Sequence, residues 1–501
     1  MRNGNALFRW VTEFARAREA SQRNLPALVE RLAAELGVDG PTDLLPDRVV
    51  ATERRSWAAA VEDLVRARPH HAAARRALAG GERTALIAVS TKRLPLDGDS
   101  PVREQLGQLL EALPGTRQPD VLARELDACP RLVLFDPRPV SPLRVIMHRL
   151  DQEGVAVVDD GVLLCEAFRR LPRAMASAFR EGLRSAREPG GGRMALAAVL
   201  LDEGYRGMLE PVDRCRGLLL TSNAFATELL RFRLLREPRC ESLVEVLHGV
   251  PTQEWTSYLA QILRSVPEPA RHRFVPQIPG LALDEPFAEG PEGVPCFAVN
   301  VALNRYAANG RGTVEAVMDL HSRLFTPGAE SFVVAWIGGT SHDPDYLASR
   351  SFAVERAMIQ RVREMLIERG RRVAISYSPH PARPLDAFER HPFFAENDVL
   401  VTQDTVSSWL VADAAFALIS SAAFEAAFAG CRAFLPIRPD DGLYGSKTLG
   451  LVGHPEAGEP LLHALSRFLY SYEPSDGDRR TRLHRRCLRL GLRSGDTLAE
   501  A

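Results

Sequence analysis

From residue 84 onward the chain alternates short, nearly unbroken apolar runs with longer stretches repeating apolar residues at intervals of three and four. That alternation predicts parallel strands joined by helices. The first set of predicted strands is Thr84 to Ser90 (TALIAVS), Arg131 to Phe135 (RLVLF), Val155 to Val158, Leu218 to Thr221 and Leu243 to Leu247. The second is Cys296 to Val301, Phe332 to Ile337, Arg372 to Ser378, Val399 to Thr402, Ala414 to Ile419 and Phe434 to Ile437. Helical spacing occupies intervals such as Val102 to Leu113, Pro142 to Glu153, Phe352 to Glu368 and Thr405 to Val411, and returns at Leu461 to Tyr470 and Arg479 to Leu492. Before residue 80 only helical patterns occur, at Leu25 to Leu36 and Trp57 to Leu64.

Strands alternating with helices predict an α/β protein with doubly wound sheets. A stretch rich in Pro, Gly and acid, Pro276 to Pro295, reads as a linker. The expected organisation is a helical extension (1–80), a first Rossmann-like domain (81–290), a second (291–475) and a C-terminal helix (476–501).

Length and composition narrow the class. A chain of 501 residues exceeds one ordinary core, and 46% hydrophobic with 25% charged residues is globular usage. A net charge of -1 provides no global field for nucleic acid, so no nucleic-acid partner is expected. The seven cysteines are scattered and form no C-x-x-C pair, which argues against a disulfide framework or a zinc knuckle and fits a reducing cytoplasm. No metal site is expected. Arg and Glu break every apolar run from Met1 to Ala20, unlike a signal peptide. No apolar run approaches the roughly 18 residues that a membrane span needs. The arginines at Arg479–Arg480 and Arg485–Arg486 read as a solvated helix face, with a basic patch for an anionic acceptor or lipid headgroups as the sharper alternative.

Candidate chemistry collects at strand tips, where ligands bind in open α/β sheets. The strand ending at Ser378 delivers His380-Pro381 into a loop; the other His-Pro pairs, His391-Pro392 and His454-Pro455, lie in polar sequence. The run Ala414 to Ile419 ends in Ser420-Ser421 before a helix from Ala422, with Glu425 expected in its first turn. Hydroxyls and unpaired amides at a helix N-terminus suit a phosphate, although Ser there is also the usual cap. An imidazole across from them could protonate a leaving phosphate. Glu425 is a candidate for a ribose hydroxyl. Gly338-Gly339-Thr340 reads as a β-to-α turn that lets a nucleotide approach the backbone. It lacks the G-x-G-x-x-G spacing of a dinucleotide site, which disfavours an oxidoreductase. In the first half, Asp159-Asp160-Gly161 places two carboxylates at a strand tip before an expected sharp turn, and His248 follows another strand. Each is a candidate base.

The ordered set Asp159-Asp160-Gly161, His380-Pro381 and Ser420-Ser421 resembles the D/E-D/E-G, HP and S/SS motifs of bacterial sialyltransferases, including polysialyltransferases. That resemblance implies GT-B architecture, two Rossmann-like domains facing a cleft. It also implies an inverting glycosyltransferase that moves a nonulosonic acid from a CMP-sugar, with no tightly bound cofactor, to a glycan or lipid-linked acceptor in surface polysaccharide synthesis. One of Asp159 and Asp160 would then take the acceptor proton, His380 would assist the departing CMP, and Ser420 and Ser421 would hold its phosphate. The setting implied is cytoplasmic, with peripheral contact at the inner face of the membrane as an option. A second resemblance is to the CDP-glycerol glycerophosphotransferases, through Leu247-His248-Gly249-Val250-Pro251 with a later His-Pro and Ser-Ser. It makes His248 the base. The chain departs from that pattern in Ala422-Ala423-Phe424-Glu425, where the family shows aspartate after the aromatic, and in lacking an aromatic before His248. A non-catalytic protein that retains GT-B-like domains for binding or assembly is the third alternative.

Overall fold

A computed structural model describes residues 4–39, 70–76, 78–79, 84–88, 131–136, 153–170, 191–220, 225–246, 252–267, 274–279, 288–289, 295–299, 331–339, 346–380, 383–471, 481–483 and 485–486, with positions 101, 104, 129, 150, 317, 320 and 322–324. Two compact units emerge: Met1–Glu19 with Val49–Val299, and Ala20–Arg48 with Asn300–Ala501. Each is α/β and built on a largely parallel sheet, as the alternating pattern leads one to expect.

The first unit holds β1 (Thr84–Ala88), β2 (Arg131–Asp136), β3 (Val155–Asp159), β4 (Cys215–Leu220), β5 (Cys240–Val246), β6 (Phe274–Pro279), β7 (Ala288–Glu289) and β8 (Pro295–Val299). Their spatial order is β3-β2-β1-β4-β5-β6-β8-β7, every pair parallel except β7 with β8. The stretch read as a linker therefore takes in β7 and the end of β6, which pairs with β5 and β8. Its two prolines hid it, since Pro removes a ladder donor while its carbonyl still accepts.

Its helices include α1 (Gly4–Leu36), α2 (Asp160–Arg169), α3 (Gly191–Leu209), α4 (Phe225–Arg236) and α5 (Gln253–Arg264). The first half of α1 belongs to this unit and lays Trp10 and Phe14 on Phe232, Trp255 and Tyr258. The helix pair α2 and α3 packs closely because α3 carries Gly204 and Gly207: a Cβ on Gly204 would lie 2.6 Å from the Leu163 carbonyl oxygen. Beside that contact the buried Glu166 accepts hydrogen bonds from Arg75 (2.8 Å) and Arg169 (2.6 Å) and pairs with His71 at 2.7 Å.

The second unit holds β9 (Ser331–Ile337), β10 (Arg372–Ser378), β11 (Val399–Val401), β12 (Ala414–Ala417) and β13 (Arg432–Phe434) in the order β11-β10-β9-β12-β13, all parallel. Strand β9, buried at every residue, is the centre, as its uninterrupted apolar run requires. Its helices include α6 (Arg350–Glu368), α7 (Thr405–Val411), α8 (Ser421–Phe428) and α9 (Leu461–Tyr470). Trp336 stacks on Phe416 at 5.9 Å on one side of the sheet. Phe352, Tyr377, Phe388 and Phe394 cluster around α6.

The second half of α1 belongs to this unit. There Arg31 pairs with Asp441 (2.7 Å), and Glu35 accepts from Arg438 (2.9 Å) and the Leu461 amide (2.7 Å). Among the described residues, no helix is long and apolar enough to cross a membrane.

Candidate functional site

The five-stranded sheet has a topological switch point. From β9 the chain winds outward through β10 to β11, whereas β12 and β13 lie on the opposite side of β9. Ligands in open α/β sheets bind where the winding reverses, outside the carboxyl ends of the strands. Register fixes which residues emerge there: Ser378 of β10 and Ala417 of β12 both stand opposite Ile337 of β9. Two residues beyond this row come His380 and Gly339, and three beyond it comes Ser420. His380 and Ser420 thus follow the two strands that neighbour β9, on either side of the strand that leads into Gly338–Gly339.

Ser420 ends the extended segment and caps α8, its hydroxyl accepting from the Ala422 amide at 3.3 Å. Helix α8 starts at Ser421, one residue before the expected start, which puts Glu425 in the second turn rather than the first. Glu425 is the fifth residue of α8 rather than the third, so it cannot complete a capping box with Ser420. His380 is half-buried, and its carbonyl accepts from the Arg383 amide at 2.9 Å, closing a turn. Arg383 then lays its guanidinium over the Tyr346 ring, 4.0 Å from the centroid. The end of β10 is anchored by Ser378, whose hydroxyl lies 2.9 Å from that of Ser408 on α7.

The other two His-Pro pairs have local structural partners. His391 caps a one-turn helix, Nδ1 accepting from the Phe393 amide at 3.2 Å, and burial with the nearby Arg356 charge lowers its pKa. His454 Nδ1 lies 3.1 Å from the Val452 carbonyl. Thr340 and Pro381 lie outside the described residues, as does His248, two positions beyond the end of β5.

The Gly338–Gly339 turn differs from its sequence reading. A Cβ on Gly338 would sit 2.7 Å from the Tyr377 hydroxyl, and one on Gly339 would sit 2.8 Å from the Tyr346 hydroxyl and 3.0 Å from Glu355 Oε1. The space these glycines leave is thus filled by the protein's own side chains. Sequence reasoning missed Glu355, Tyr346 and Tyr377. The signal available was a carboxylate at position 355, three after Phe352 and four before Ile359 on the apolar face of α6.

In the first unit, Asp159 ends β3 and caps α2, its carboxylate accepting from the Val162 amide at 2.9 Å while 3% exposed. Helix α2 begins at Asp160, so Gly161 is helical and the sharp turn expected there is absent. Strand β3 is the sheet edge, two strands from the switch point between β1 and β4. Beyond the acidic pair, Arg231 of α4 bridges two buried carboxylates, Glu228 and Glu245 of β5, at 2.6 Å each. Among the described residues, no cluster of three or more His, Cys, Asp or Glu could hold a metal ion.

No family model matches the sequence, and a search of curated proteins returns no match. Similar solved structures include the wall teichoic acid polymerase TagF, at 10% identity over 88% of this chain and 94% of that one, TM-score 0.33. A variant of TagF soaked with CDPG is 9% identical over 89% of this chain and 97% of that one, TM-score 0.34.

Proposed function

We propose that the chain is a transferase that uses a cytidine-nucleotide donor and releases CMP, with the donor phosphate held where β9 and β12 diverge. The observation carrying this reading is the shared row of Ser378, Ile337 and Ala417, from which His380, the Gly338–Gly339 turn and the Ser420–Ser421 helix start emerge together. The helix start contributes backbone amides and the positive end of its dipole to an anion. His380 supplies the proton or hydrogen bond that a departing phosphate oxygen needs.

Both family resemblances share this leaving end. In glycosyl transfer the C–O bond to CMP breaks; in glycerophosphoryl transfer from a CDP-alcohol, the P–O bond of the diphosphate breaks and a phosphodiester forms. Either way a base takes the acceptor hydroxyl proton and CMP carries away the bond electrons. The CDP-alcohol reading, with His248 as base, is favoured over the nonulosonic acid reading because the rival Asp159 is buried and engaged as the cap of α2. Asp160 remains the carboxylate to test against it. A glycan or lipid-linked acceptor fits both.

A thermal-shift panel of CMP, CDP, UDP, GDP and NAD tests the donor. A cytidine nucleotide at a hundred times its Kd should add about 2.7 kcal/mol of stability, and the others little. No shift with either cytidine nucleotide, together with no donor hydrolysis, leaves the non-catalytic alternative standing. CMP release should collapse in His380→Ala on either reading; for the base, it should collapse in His248→Ala while Asp160→Asn retains it, and loss in Asp160→Asn with retention in His248→Ala restores the sialyltransferase-like reading.

A further inference from the structure

Beneath the Gly338–Gly339 turn lies a carboxylate that the proposed chemistry leaves unused. Glu355 on α6 is fully buried, and the partners it meets are hydrogen-bond donors. The Gly339 amide donates to Oε1 at 2.7 Å and the Tyr377 hydroxyl to Oε2 at 2.8 Å, with the Tyr346 phenol and Trp336 indole facing its remaining sides. An acid in such surroundings is held by geometry, because each donor fixes one direction of approach.

We infer that Glu355 is a positioning residue of the donor site, fixing through the Gly339 amide and the Tyr377 hydroxyl the turn after β9 and the end of β10 that a nucleotide phosphate would meet. This rests on the function proposed above.

Two further contacts and the absence of two Cβ atoms make the coupling specific. The Gly338 amide donates to the Ser378 carbonyl at 2.8 Å, tying the β9 turn to β10 two residues before His380. The glycines admit the arrangement only because they lack Cβ atoms, which would collide with Tyr377 and Tyr346. The Tyr346 ring, set beside Glu355, is the platform on which Arg383 of the His380 turn rests. One buried carboxyl thus joins the β9 turn, the end of β10 and the loop that follows it. Burial pushes that carboxyl up to about 7, against the pull of its donors.

Glu355→Gln keeps the shape but replaces one acceptor oxygen with an NH2 donor, so with Gly339 on the remaining oxygen the Tyr377 hydroxyl can no longer donate there and must reverse its hydrogen bond. Tyr377→Phe keeps the carboxyl and removes one donor. Calorimetric titration with CMP and amide hydrogen exchange at Gly339 are the readouts, both taken well below the melting temperature. The expected result is a CMP Kd raised about tenfold in Glu355→Gln and a few-fold in Tyr377→Phe, with faster Gly339 exchange in both. A residue that only packs the core would lower the melting temperature and leave CMP affinity unchanged. Wild-type protein that binds CMP while both variants bind it equally well overturns this inference alone. Wild-type protein that binds no CMP overturns the functional reading and this inference together. If Glu355→Gln does not fold, Tyr377→Phe decides: unchanged affinity overturns the inference, and weakened affinity supports it.

Discussion

Ser420 and Ser421 are neighbours of the same type with separable tasks. The Ser420 hydroxyl is spent on the Ala422 amide, whereas Ser421 is the first residue of α8. Ser420→Ala should therefore cost about 1 kcal/mol of stability in urea unfolding. Ser421→Ala should stay within about 0.5 kcal/mol of wild type while weakening CMP binding. Equal stability losses in the two variants would contradict this division. At this scale the sequence was informative about which residues follow a strand end, as His380 follows β10 and Ser420 follows β12. Its signal was faint where tertiary packing recruits a side chain, as at Glu355, because an acid within a helical pattern ordinarily reads as surface even when its spacing puts it on the apolar face. Asp159 shows the same limit from the other side: its type and position suggest a base, while its geometry is that of a cap.

Among elements, α7 is secured from outside its own sequence. Arg486 is buried, and its guanidinium donates to the carbonyls of Leu410 (2.8 Å) and Ala412 (2.6 Å), closing the C-terminal end of that helix. The arginine cluster read as a solvated face thus includes a cap for a helix some seventy residues earlier. No periodicity could reveal this, since the partners are backbone carbonyls that leave no mark in a sequence. Arg486→Ala should destabilise the protein by about 2 kcal/mol, since buried carbonyls lose a charged donor. A denaturation midpoint unchanged from wild type would contradict that cap. Most strand positions, by contrast, followed directly from short apolar runs, and the helices Thr405–Val411 and Leu461–Tyr470 have the bounds that their spacing predicts. The exceptions were β6, whose prolines disguised a paired strand as a connector, and the two-residue β7 within the same stretch.

For the whole molecule, buried carboxyls set opposing dependences on pH. Burial alone would raise Glu166, but hydrogen bonds from His71, Arg169 and Arg75 outweigh it and hold the group at about 2 against an ordinary 4.5. Its stabilisation is complete above pH 4.5 and is lost as pH falls towards 2. Glu355 behaves oppositely: burial raises it to about 7, so the folded protein keeps a proton that the unfolded chain has released, and stability declines as pH climbs from 4.5 to 7. Glu228 is raised in the same direction by burial, with Arg231 opposing and Glu245 assisting. The melting temperature should therefore peak near about pH 5 and fall towards neutrality, with a shallower fall in Glu228→Gln. Calorimetry showing a steady rise from pH 5 to 7.5 would refute this assignment.

The pairing of β9 with β12 begins before β12 does. Asp413 gives its amide to the Val333 carbonyl at 2.8 Å and accepts the Val333 amide on its carboxylate at 2.9 Å, while Arg482 holds the other oxygen at 3.0 Å. A side chain thereby acts as a registration peg at the foot of the sheet. Sliding β12 by one position would unseat the peg and turn every following side chain to the opposite face. The level at which Gly338 and Ser420 surface at the far rim is consequently indexed from the bottom of the strands, by an acid remote from any ligand.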